Sequence, residues 1–203
     1  MGDGNHSLAT AKTNWENLKK TLTPEEAENH PARYALCEIE NIHDEGIVFE
    51  PIHRVIFQKN GQSGMDLVNE TVELLKAQNG DAYLAEEGFV KEGCFSIPYI
   101  TGEKRGTIVV EDPANKLEVG ALQNALDVMV KERMSCDIDY IHGTKAVESL
   151  GTREGNAGFM LPAMDKFMLF PAVAADGALP RKTFSMGEAN EKRYYIESRY
   201  IGK

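Results

Sequence analysis

The chain opens on a polar turn bracketed by glycines, Gly2-Asp3-Gly4-Asn5-His6-Ser7, and these residue types suit anion chemistry. Glycine lets a backbone turn left-handed and approach a ligand closely. An amphipathic stretch follows, and a helix starting there offers unpaired amide donors and the positive end of its dipole. On this reading Asp3 is the catalytic candidate, orienting a hydroxyl, contacting a metal-bound phosphate or acting as a base. Gly4, Asn5, His6 and Ser7 are the phosphate- or nucleotide-binding candidates. The same residues also make an ordinary surface turn with His6 exposed at a helix entry, and the sequence leaves both readings open. The turn is not a Walker loop, because no Gly-Lys-Ser/Thr follows.

A second candidate is "LPRKTF", where Arg181, Lys182 and Thr183 form a substrate-binding set. Arginine grips a carboxylate or phosphate through two parallel hydrogen bonds, and a threonine hydroxyl adds a third. A solvated basic loop is the competing reading, weakened by Leu179, Pro180 and Phe184 around it. A third is "EPIHRVIF". Neighbours on a strand point to opposite faces, so His53 and Arg54 diverge. Burying an arginine alone is costly, which predicts an acidic partner or a ligand for Arg54. His142, in "DYIHG", falls at a strand end, where loops commonly carry function. Asp137 and Asp139 share a strand face, a pair that suits either a metal or solvent, and the reading taken is solvent. The histidines have no metal-ligand spacing, so no metal site is expected. Cys37, Cys94 and Cys136 are widely spaced, odd in number and without CxxC, which reads as reduced core thiols.

These residues need elements to hold them. Leu8, Ala11, Trp15, Leu18 and Leu22 recur at helical spacing, with Ser7 as the expected N-cap. "TPEE" starts a short helix with a Thr23–Glu26 capping box and Pro24 in the first turn. The alternation in "ARYALCEIENI" predicts a strand at 33–41. "GIVFE" and "HRVIF" predict two strands bent apart at Pro51. A helix is expected at 64–77, closed by Asn79-Gly80. "CFSIPYI" and "GTIVVE" predict paired strands, and "LEVGALQNALDVMVKER" the clearest helix. "DIDYI" and "GFMLP" read as strands, "TKAVESL" and about 163–174 as helices, and the tail as a loop and a final strand. Strands and helices alternate without regular βαβ spacing. The expected class is α+β, with a mixed, largely antiparallel sheet and flanking helices. Residues 1–203 are expected to form a single α+β region, with a weak subdivision near 79–93.

The 203 residues carry 22 basic and 32 acidic groups, a formal net charge of -10. That balance speaks against a nucleic-acid surface, which needs clustered Lys and Arg. No stretch approaches the roughly 20 apolar residues of a membrane span, and no signal peptide is visible. A cytoplasmic location is the expectation, with a small-molecule ligand as partner and neither nucleic acid nor membrane.

The segments "GDGNHSLATAK", "PARYALCEIENI", "FEPIHRVIF", "DYIHG" and "DGALPRKTFSMGEANEKRYYIESR", in this order, resemble the domain-of-unknown-function 1015 family. The family's opening motif is Asp-Gly-His-His-Arg; here Asn5 and Ser7 replace the first histidine and the arginine. Its members are about twice as long. The resemblance therefore implies that this chain is a C-terminal half, with the N-terminal half of the same protein as a partner. The motif in turn resembles the nucleotide loop of the ParB and sulfiredoxin superfamily, which includes kinases of free serine. That implies ATP or ADP with Mg²⁺ as cofactors, phosphates on the Gly4–Ser7 loop, and Arg181 with Thr183 on the acceptor's carboxylate. The loss of arginine at Ser7 removes a charge that would neutralise phosphate. The alternative is a non-catalytic domain that senses a nucleotide or phosphorylated metabolite.

Overall fold

The computed structural model describes residues 4–177, 179–187 and 200. The chain divides into two compact units, one of Met1–Val48 with Met186–Lys203, the other of Phe49–Ser185. The stretch 79–93 lies within the second.

In the first unit, α1 spans Asn5–Lys19 and α2 spans Pro24–Asn29. The N-cap of α1 is Gly4, at φ 77°, and not Ser7. Only glycine takes that left-handed conformation without a Cβ penalty, so the helix begins earlier than a serine cap would place it. Leu8, Trp15, Leu18 and Leu22 of the expected stripe are half-buried, and Ala11 is exposed. The Trp15 and His30 rings lie 6.1 Å apart. The Thr23–Glu26 capping box forms as expected. The strand predicted at 33–41 does not form. After a short 3₁₀ turn at Pro31–Arg33, residues 34–48 run irregularly, and Tyr34, Leu36 and Ile39 are exposed. Alternation makes a strand only where a neighbour takes its hydrogen bonds and a core takes its apolar face.

The second unit is an antiparallel sheet with helices on both faces. Its strands are β1 (Phe49–Gln58), β2 (Asp81–Ala85), β3 (Phe95–Thr101), β4 (Lys104–Glu111), β5 (Cys136–His142), β6 (Asn156–Phe159) and β7 (Phe184–Met186). Their order is β2-β4-β3-β6-β1-β5, with β7 also pairing with β1. The fold is therefore α+β, as the sequence predicts. "GIVFE" and "HRVIF" join in one strand rather than two. Pairing with β5 starts one residue after Pro51, at Ile52 opposite His142, so the missing proline N–H costs that ladder no donor.

Helices α3 (Gly64–Gln78) and α4 (Glu118–Val128) cover one face. Leu67, Val68, Leu75, Leu122 and Leu126 pack there on Ile56, Ile97 and Phe159 in the main core. A π-helical turn, Met129–Arg133, extends α4 and ends at Met134 in the left-handed region. On the opposite face α5 (Thr144–Gly151) brings Val147 onto Val55 and Ile100. A 3₁₀ turn at Lys166–Met168 leads into α6 (Leu169–Asp176). Cysteine burial departs from expectation: Cys37 is exposed, Cys94 half-buried, and Cys136 alone fully buried.

Candidate functional site

The strand β1 runs between β5 and β6, so five successive residues from Ile52 to Ile56 are buried. His53 and Arg54 consequently point to opposite faces and both are enclosed. Arg54 is fully buried beneath α4. Its Nε donates to Gln123 Oε1 at 3.2 Å, its Nη1 to the Ile52 carbonyl, and its Nη2 to the Arg181 carbonyl at 3.3 Å. None of these acceptors is a carboxylate, although the sequence reading predicts an acidic partner or a ligand. The guanidinium lies 4.8 Å from the centroid of the Tyr140 ring, the residue opposite Arg54 on β5.

Arg181 shares that ring, with its guanidinium 5.7 Å from the Tyr140 centroid. Its side chain is exposed and its Nη2 stands 3.8 Å from Asp127 Oδ1. Asp127 also accepts from Gln123 Nε2 at 2.7 Å and pairs with Lys131. Gln123 Nε2 donates further to the Tyr140 hydroxyl at 3.3 Å. Burial, with Arg181 acting in the same direction and Tyr140 against it, brings the Arg54 pKa down to about 10. Burial opposes ionisation of Asp127, but hydrogen bonds from Lys131 and Gln123, with Arg181 beyond them, hold it below the usual carboxylate range. The result is a buried and an exposed guanidinium on one aromatic ring, with the Asp127 carboxylate at the rim.

The other predicted residues fall around this cluster or away from it. Thr183 is buried, and its hydroxyl donates to the Pro180 carbonyl, fixing the loop that carries Arg181. Lys182 is exposed, with φ 57°. His53, on the opposite face, accepts the Leu161 N–H at Nδ1 (3.1 Å), so its proton is on Nε2, which is buried with no partner among the described residues. Burial, then the charges of Arg54 and His142, hold its pKa below 6.5. His142 is exposed at the end of β5. Asp137 and Asp139 are exposed, and Asp137 pairs with Lys59 at 3.0 Å. Asp3 lies outside the described residues. Asn5 and His6 open α1, and Ser7 is exposed in its first turn. Among the described residues no group of three His, Cys, Asp or Glu side chains is placed to hold a metal ion, and no helix is long and apolar enough to cross a membrane.

Gln123, Asp127 and Tyr140 are absent from the sequence candidates. Gln123 leaves a signal, a polar residue one turn beyond Val119 on the apolar stripe of α4. Two concavities flank the cluster's unit. One is a polar cleft of about 510 Å³ in which Glu70 is already taken by Arg133 and Ser135. The other, about 570 Å³, lies between the start of α4, the 161–165 segment and α6, with Thr183 in its wall.

A sequence model of the family described as a protein of unknown function, DUF1015, matches residues 1–129. The chain belongs to the DUF1015 family. A conserved hypothetical protein from Pyrococcus furiosus has a similar fold, with a TM-score of 0.51 and 20% identity over 75% of this chain and 61% of that one. The DUF1015 chain thus spans about three fifths of that protein's length, and at this identity the likeness concerns the fold. No curated protein matches.

Proposed function

We propose that this DUF1015 chain binds a small anionic metabolite, a carboxylate or a phosphate ester, at Arg181 with Arg54 and Tyr140 behind it. One observation carries the reading: Arg54 is fully buried with no carboxylate among its hydrogen-bond acceptors in the described residues, and a second guanidinium stands on the same ring. An anion against Arg181 relieves the repulsion between the two cations and leaves Arg54 to fix the ring and the loop. Asp127 holds Arg181 at only 3.8 Å, a separation an incoming anion can compete with. The test is thermal shift of the whole chain with inorganic phosphate, phosphoserine and small carboxylates, since a ligand bound only by the native state raises its stability. At least one anion should raise the melting temperature, and Arg181→Ala should remove most of the rise. A flat response to every anion overturns the reading.

A second reading, a small-molecule phosphotransferase, draws on the start of α1. Its N-cap is a left-handed glycine with no side-chain cap, and no acidic residue stands in its first turn. Such a start suits a phosphate, and the resemblance to the ParB and sulfiredoxin superfamily supports ATP or ADP there. In this reading Asp3 orients the acceptor hydroxyl. No described side-chain cluster fits Mg²⁺, so no metal step is derived. ADP formation with a panel of amino acids decides it, and Asp3→Asn should abolish turnover. Turnover unchanged by that variant removes Asp3 from the mechanism.

A further inference from the structure

We propose that the ligand of Arg181 is amphipathic, an anionic head on an apolar body, and that the body occupies the 570 Å³ cavity beside α4. The proposal rests on the anion-binding reading and names its ligand class. The volume lies within the roughly 300–1,000 Å³ of small-molecule sites. Its walls are largely apolar, formed by Leu117, the N-cap of α4, with Val119, Leu161, Met164 and Ala172, and Thr183 closes one side. α6 contributes no charge between Leu169 and Ala175.

The charges that do line the cavity decide where the head goes. Among the described residues they are Lys116, Glu118 and Asp165, one cation against two carboxylates. Asp165 is held in place by accepting the Phe167 N–H. An anion is therefore disfavoured inside, while the two guanidiniums favour it outside. The two regions are joined through the chain itself. Val119 in the wall and Gln123 in the cluster are four residues apart on α4, about 6 Å along its axis. Thr183 in the wall and Arg181 in the cluster are two residues apart on one packed loop.

The test is calorimetric titration of the whole chain with straight-chain carboxylates from acetate to octanoate, with octanol and inorganic phosphate alongside. Burial of each methylene strengthens binding by up to about fourfold, so affinity should climb steadily with chain length, and octanol should bind at least tenfold more weakly than octanoate. Ala172→Trp, which fills the cavity, should cancel the gain with length and leave acetate and phosphate unchanged. Ala175→Phe, at the exposed rim, is the variant to use if circular dichroism shows the first to be misfolded. Affinity independent of chain length, still lost in Arg181→Ala, overturns the apolar body and keeps the anion site. Equal binding of octanoate and octanol, unaffected by Arg181→Ala, overturns both.

Discussion

Arg54 and Arg181 stand on the same ring, 4.8 and 5.7 Å from the centroid of Tyr140, and Arg54 donates to the backbone carbonyl of Arg181 at 3.3 Å. A buried charge thus holds the loop that presents an exposed one. Each cation also gains from the ring face, by roughly 0.5–2 kcal/mol depending on desolvation.

Replacing Arg54 tests that relationship. Arg54→Met keeps the bulk but leaves Gln123 Oε1 and the carbonyls of Ile52 and Arg181 without their donor. An unsatisfied buried acceptor costs about 1–3 kcal/mol, and apolar burial of the methionine returns part of that. Urea unfolding should show a net loss of about 2–4 kcal/mol. A variant as stable as the parent would mean that the charge is a burden in the absence of ligand.

His53 gives the unit a pH dependence of defined sign. Burial, Arg54 and His142 keep its folded pKa below 6.5. As pH falls through 6.5 the unfolded chain takes up a proton that the folded one refuses, so stability drops, by at most about 1.4 kcal/mol per pH unit. The decline levels off once pH passes below the folded pKa. His53→Asn keeps an acceptor for the Leu161 N–H and should flatten the urea midpoint between pH 7 and 5.5. An unaltered slope would assign the dependence to other groups.

The helices and strands with strong periodicity are legible in the sequence, and α3, α4, β3 and β4 fall close to where it places them. The strand at 33–41 shows the limit: alternation alone does not make a strand, and these residues run irregularly with Leu36 and Ile39 exposed. The candidate site is legible only as separate pieces. Arg54 and the "RKT" loop stand out by residue type, but Gln123 lies 69 residues from Arg54, and Arg181 lies 127. Tyr140 reads as one more strand residue until register sets it opposite Arg54. Buried arginine announces that a partner exists, and only the sheet order says which.

The thiols should separate by burial. Cys37 is exposed, Cys94 half-buried and Cys136 buried, with burial pushing the Cys136 thiol up to about 11. The thiolate is the reacting form, so an aromatic disulfide reagent at pH 8 should modify Cys37 fast, Cys94 more slowly, and Cys136 only in denaturant. Three equal rates in native buffer would contradict the burial of β5 against β1.

The start of α3 separates a cap from a close contact. Ser63 accepts from the Asp66 N–H, and the Asp66 carboxylate accepts from the Ser63 N–H and hydroxyl. Ser63→Ala removes half of that box and should cost about 1 kcal/mol. Gly64, the next residue, has no room for a side chain. A Cβ there would stand 2.0 Å from Thr101 Oγ1 and 2.1 Å from the Asn156 carbonyl oxygen. Those two atoms are themselves hydrogen-bonded at 2.7 Å, tying β3 to β6. The backbone carbonyl cannot swing aside without opening that junction, so Gly64→Ala should cost roughly 3 kcal/mol or more, although alanine is the better helix former. Thr101→Ala in the same background removes the nearest of the obstructing atoms and should recover part of the loss. A Gly64→Ala protein that matches Ser63→Ala in urea midpoint would show that α3 can lift from the sheet at its N-terminus with little resistance.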